Sequence, residues 1–146
     1  MEERTRQNLD LLVERYPVLG QCKDDIASAY NILEEAYAAG RKLLVAGNGG
    51  SAADSEHIVG ELMKEFKLKR KIFSAQADRL MKIDAEMGPV LANNLQGTLP
   101  AISLVGESAL STAFMNDAVP ELVFAQQVNG YGKPGDVLRH LHIWKQ

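Results

Sequence analysis

The stretch LLVAGNGGSAADSEH, residues 43–57, constrains the fold of this chain more than any other. Its lead-in, KLLVAG, is a short and nearly continuous apolar run, the pattern of a parallel strand buried on both faces. Gly47, Gly49 and Gly50 follow at once, and helical spacing begins directly after them. A strand that turns through glycines straight into a helix is the opening of a strand–helix–strand unit, so the chain is expected to be α/β. Ser51 opens the helix, and Asp54 three residues on completes a Ser-x-x-acid capping box. Ile58, Val59, Leu62, Met63 and Phe66 make its buried face. The helix is expected to run into KEFKLKRK, where Lys64, Lys67, Lys69, Arg70 and Lys71 complement the negative end of its dipole. That basic cluster reads either as a solvated helix end or as a contact for phosphates.

Two helices precede the strand. Leu9, Leu12, Val13 and Tyr16 recur at helical spacing, and Pro17 with Gly20 ends the run. Asp24 or Asp25 caps a second helix with Ile26, Tyr30, Leu33 and Tyr37 on one stripe and Gly40 as its stop. Such stripes report burial and not its partner, so core and subunit interface are both open. Residues 74–98 form a polar–apolar insert with room for one or two short helices. LPAISLVG, residues 99–106, is the second strand. A short helix with Leu110 and Phe114 follows, then one opened by Pro120 and running through Val128, and a third strand begins at Val137 and Leu138. The expected organisation is a helical pair over 1–40, a partial α/β domain over 41–138, and a separate tail over 139–146.

A formal net charge of −3 gives no global field to recruit nucleic acid or an anionic membrane. No apolar run reaches the roughly 18 residues of a membrane span, and MEERTRQNLD lacks the apolar core of a secretory signal. Cys22 is the single cysteine, so no internal disulfide can form, and the expected location is the cytoplasm.

Glycine lets backbone N–H groups converge on one point, and a helix N-terminus adds a positive dipole end. Asn48 and Ser51 bring side-chain hydrogen bonds to the same place. The chemistry suits a phosphate or a sugar hydroxyl; a tight turn that binds nothing is the bland alternative. No Gly-x-x-x-x-Gly-Lys-Ser/Thr is present, which excludes a nucleoside-triphosphate loop on motif grounds. Gly47-x-Gly49-x-x-Ala52 satisfies the loose dinucleotide fingerprint, but the acid expected about 20 residues on falls in the basic KLKRK. His57 and Glu61 are four residues apart and share one helix face. They are a candidate metal-ligand pair, or Glu61 a base, or the two an ordinary exposed pair.

GNGGSAADSEHIVGEL and ALSTAFMNDAVPELVFAQQVNGYGKPGDVL together resemble the sugar isomerase (SIS) domain family, in particular the D-sedoheptulose 7-phosphate isomerases. The resemblance covers most of residues 40–138. It implies a flavodoxin-like three-layer α/β/α sandwich, here without its C-terminal half, that acts as a homotetramer and binds a phosphosugar between subunits. It implies substrate contacts from Asn48, Gly49, Gly50 and Ser51 and from an Asn116–Asp117 pair. His57 and Glu61 match family metal ligands, zinc where a metal is present. Glu61 also matches the base that moves a proton between C1 and C2 through an enediol. The 74–98 insert departs from the heptose isomerases. A noncatalytic relative that binds the bacterial replication initiator is the alternative. A sugar-phosphate-sensing transcription factor would need a helix-turn-helix module for which the chain has no room.

After GDVL the family pattern continues into a second phosphate loop, Gly-Ile-Ser-Thr-Ser-Gly-Asn-Ser, whereas this chain reads RHLHIWKQ. Back-translated and shifted by one base, Arg139 to Gln146 can spell Gly-Ile-Ser-Thr-Ser-Gly-Asn. The tail is therefore expected to be the frameshifted reading of that loop. The expected consequences are negligible turnover, weak metal binding through an incomplete site, and an exposed sheet edge.

Overall fold

The structure, a computed structural model, describes residues 1–142; Ile143 to Gln146, the end of the tail, lie outside the described residues. Helix α1 (Glu3–Arg15) is followed by a 3₁₀ turn (Pro17–Cys22) and helix α2 (Lys23–Ala38). Strand β1 (Leu43–Gly47) then leads into α3 (Gly50–Met63). The insert forms α4 (Ser74–Ile83) and α5 (Met87–Asn94). Strand β2 (Ala101–Ser103), α6 (Ser108–Asp117), a 3₁₀ turn (Pro120–Leu122), α7 (Val123–Tyr131) and β3 (Val137–Leu141) complete it.

The three strands are parallel in the order β2-β1-β3, with Leu43 opposite both Ala101 and Val137. This is the opening order of a flavodoxin-like sheet, whose ligand crevice lies beyond the carboxyl ends of the strands. Every residue of β1 is buried, as its unbroken apolar run demands. Alternation splits them: Leu43 and Val45 pack with Leu33 and Tyr37 of α2 and Ile58, Val59 and Leu62 of α3. Leu44 and Ala46 pack with Leu104 and with Phe124 and Val128 of α7. Helices thus cover both faces of the sheet, and the α/β/α layering expected from the sequence is present.

The local punctuation differs from the reading above. Neither capping device forms: α3 starts at Gly50 with Gly49 at its N-cap, α2 starts at Lys23 after Cys22, and neither cap makes a side-chain hydrogen bond. The positive φ of Gly49 (58°) turns the chain so tightly that Ser51 falls inside the helix and is buried, where its hydroxyl cannot reach back as a cap. Asp24 and Asp25 stand in the first turn of α2, favourably for the dipole but without capping. Helix α3 stops at Met63, so Phe66, 81 % exposed, is not part of its buried face. Strand β2 is three residues long where eight were expected, because the Leu99 N–H bonds to the Leu62 carbonyl (3.0 Å) instead of to a strand.

The insert folds back on itself. Lys71 and Gln96 form an antiparallel bridge, the Gly97 N–H donates to the Arg70 carbonyl (2.8 Å), and the Glu65 N–H donates to Gln96 Oε1 (2.7 Å). Gly88 lets α5 approach α4 closely, since a Cβ there would lie 2.5 Å from the Leu80 carbonyl oxygen. Asp84 Oδ1 accepts the N–H groups of Glu86 and Met87 at the start of α5, which lowers its pKa.

Candidate functional site

The glycines after β1 have separate jobs. A Cβ on Gly47 would sit 2.5 Å from the Ser51 carbonyl oxygen, a backbone clash, so this position is glycine for close approach. Gly49 is glycine for its φ of 58°. Gly50 has neither reason: nothing lies within 4 Å of where its Cβ would be, and its φ is ordinary. Two glycines build the turn and the third leaves its surface open.

A cleft of about 180 Å³ opens at this loop. Gly47, Asn48 and Gly49 form one wall, and Ser111 and Met115 of α6 with Phe124 of α7 form the other. It lies off the carboxyl ends of β1 and β2, where α/β sheets hold ligands. Pockets that enclose drug-sized ligands span roughly 300–1,000 Å³, so this one covers only part of a seven-carbon sugar phosphate. The Ser51 and Ala52 N–H groups bond to the carbonyls of Asn48 (3.1 Å) and Gly49 (3.0 Å), so a ligand would have to be met by the amides of the loop itself. Ser51 is buried, and its carbonyl accepts the Ser55 hydroxyl (2.7 Å).

The remaining candidates are not gathered into this cleft. Asn116 and Asp117 end α6, exposed, with Asn116 Nδ2 donating to Asp117 Oδ1 (2.8 Å). His57 is exposed on α3. Glu61 is half-buried one turn further on; its Oε1 accepts from Lys64 Nζ (3.2 Å), while its buried Oε2 has no hydrogen-bond partner among the described residues. Eleven residues of helix separate Gly50 from Glu61, about 16 Å of axial rise. Among the described residues no three His, Cys, Asp or Glu side chains cluster as metal ligands. His57 and Glu61 alone fall short of the three protein ligands usual for zinc, so one chain does not fit that metal.

In the sequence Arg70 is one of several basic residues at a helix end. Its Nη2 donates to the carbonyls of Leu62 (2.8 Å) and Lys64 (2.7 Å), and its Nε donates to the Gly97 carbonyl (3.0 Å). It therefore closes the exposed carbonyl end of α3 and ties the base of the insert to it. Tyr37 lies close enough for the Arg70 charge to offset part of the pKa rise that burial imposes on its phenol. Ser111 and Phe124 also escaped the sequence reading. The one signal for Ser111 is its place four residues before Met115 on a single helix face.

The chain is 36% identical over 119 residues to a phosphoheptose isomerase of Clostridium acetobutylicum, a match covering 82% of this chain and 47% of that protein. A match of that length in a chain of 146 necessarily includes the glycine loop and α3. The sequence is similar to those of phosphoheptose isomerases. A phosphoheptose isomerase of Akkermansia muciniphila is 30% identical over 94% of this chain and 59% of its own length. The solved phosphoheptose isomerase of Neisseria gonorrhoeae superposes with a TM-score of 0.61 at 23% identity, over 96% of this chain and 59% of that one, a likeness of fold. No protein-family model matches. The chain spans about half the length of the curated relatives it matches. The curated relatives it matches are phosphoheptose isomerases, so the replication-initiator-binding alternative is not favoured. Among the described residues no helix is long and apolar enough to cross a membrane.

Proposed function

We propose that the chain carries the phosphosugar-binding cleft of a cytoplasmic aldose–ketose isomerase acting on sedoheptulose 7-phosphate. The observation that carries this reading is the 36% identity to a phosphoheptose isomerase through the glycine loop and α3. Asn48, with the Gly49 and Gly50 amides, bonds the sugar at the open side of the loop; Asn116 and Asp117 serve its far end. Glu61 takes a proton from C1 of the ketose as O2 is protonated, giving the C1–C2 enediol; the proton then returns to C2 as O1 gives up its hydroxyl proton and the carbonyl passes to C1. That Glu61 Oε2 has no hydrogen-bond partner among the described residues supports this role. The roughly 16 Å of helical rise between Gly50 and Glu61 favours a site shared between copies, with the loop of one and α3 of another, as in a homotetramer. Zinc enters only if donors beyond His57 and Glu61 are supplied, and no step here is routed through it.

In this reading the glycine loop after β1 binds the sugar phosphate. Calorimetry with sedoheptulose 7-phosphate is expected to show binding that Asn48→Ala weakens without loss of helical signal. Equal affinity in the variant would remove the loop from the site.

A further inference from the structure

Serine and threonine inside a helix often return the hydroxyl to a carbonyl one turn back. Thr112 does so onto the Ser108 carbonyl (2.7 Å), and Ser55 onto that of Ser51 (2.7 Å). Ser111, half-buried on α6, makes no such bond among the described residues. It lines the cleft together with Val105, Met115 and Phe124, where packing alone would favour another apolar side chain. That wall is held in place from behind. Buried Gln127 of α7 donates from Nε2 to the Leu104 carbonyl (2.8 Å) just past β2, which ties the lead-in to α6 against α7. We propose that Ser111 is a specificity-determining residue whose hydroxyl bonds a hydroxyl of the sugar, across the cleft from Asn48. This rests on the reading of the glycine loop as the sugar site.

Among the described residues no charged side chain and no histidine lines the cleft. A phosphate dianion placed there would meet loop amides without a cation, and its lost hydration would be poorly offset. A sugar hydroxyl both donates and accepts, as do the Ser111 hydroxyl and the Asn48 amide on the facing wall. The apolar side chains between them suit the C–H face of a sugar. The cleft of about 180 Å³ covers only part of a seven-carbon sugar phosphate, and its lining selects the uncharged part.

The full 146-residue chain is titrated with sedoheptulose 7-phosphate by calorimetry. Ser111→Ala is expected to weaken binding by about threefold to tenfold, the worth of one neutral hydrogen bond. Ser111→Cys has nearly the same shape but only a weak donor, and is expected to lose as much. Thr112→Val removes a hydroxyl that stays on its own helix and is expected to leave affinity within about twofold. The loss in Ser111→Ala should be equal at about pH 5 and about pH 8, on either side of the phosphate's second ionisation near about pH 6. A loss that grows with pH would put Ser111 on the phosphate and overturns the assignment. Full affinity in Ser111→Cys, or an equal loss in Thr112→Val, overturns it as well. Weakening by Asn48→Ala with none by Ser111→Ala overturns the assignment and leaves the loop reading standing, whereas a wild-type chain that binds no sugar phosphate ends both.

Discussion

Asp136 shows what one carboxylate can hold together. It precedes β3, its side chain is 6 % exposed, and it pairs with Lys42 Nζ ahead of β1. It also accepts the N–H groups of Lys42 (3.0 Å) and Lys133 (2.8 Å). The side-chain and backbone bonds from Lys42 lower its pKa to about 2. A folded-state value below the unfolded one means that its stabilisation is fully present above the ordinary carboxylate pKa near 3.8 and is lost as pH falls through about 2. The stability gap between the wild type and Asp136→Asn should be widest above about pH 4 and close as pH approaches about 2. Denaturant melts across that window test it, and a gap independent of pH would show that the ionised carboxylate is not what matters. GKPGD is legible as a loop in sequence. That its aspartate reaches a lysine 94 positions earlier is not, because no local pattern records which loop a parallel strand start will face.

At the scale of elements, the strand–loop–helix unit was legible because its determinants are local. An apolar run fixes β1, two glycines fix the turn, and a helical stripe fixes α3. The end of α3 was illegible because its determinants are distant: the Leu99 N–H takes the Leu62 carbonyl, and Arg70 takes those of Leu62 and Lys64. Helical spacing could continue to Phe66 on paper, but these carbonyls already have other partners. The insert is likewise tolerated because its ends meet at Arg70, Lys71, Gln96 and Gly97, so the excursion between them leaves the sheet unstrained. Replacing Arg70 by Ala removes charge-assisted bonds to four carbonyls and should cost about 1.5–3 kcal/mol. Arg70→Lys should recover little, because a single ammonium cannot reproduce the planar fork. Hydrogen exchange should rise first over residues 64–73 and 96–98 and least in β1. Uniform loss of protection along the chain would show that Arg70 is not a local clasp.

For the whole molecule, the question left by sequence was whether the N-terminal helices serve the core or a partner. They divide the work: Leu33 and Tyr37 of α2 pack on the sheet, while α1 buries only Leu9. The sheet has a comparable asymmetry. Strand β1 is wholly buried between its neighbours, yet β3 pairs with β1 alone among the described residues and leaves Leu138 54 % exposed. Beside it a groove of about 390 Å³ runs between Ile32 and Leu33 of α2 and Val137, Leu138 and Leu141 of β3. A strand edge with unpaired N–H and carbonyl groups, next to an apolar groove, is a template for another chain. The purified chain should therefore associate in a concentration-dependent way, seen in sedimentation velocity as a weight average above the 16.0 kDa of the monomer. Leu138→Lys places a charge on that edge and should shift the distribution back toward monomer without loss of helical signal. Salt discriminates further, since association through backbone pairing and apolar burial should persist at high ionic strength, whereas assembly through surface charge would be screened away. A chain that stays monomeric at every concentration, or a Leu138→Lys variant that associates as before, would show that β3 is not the surface through which copies meet.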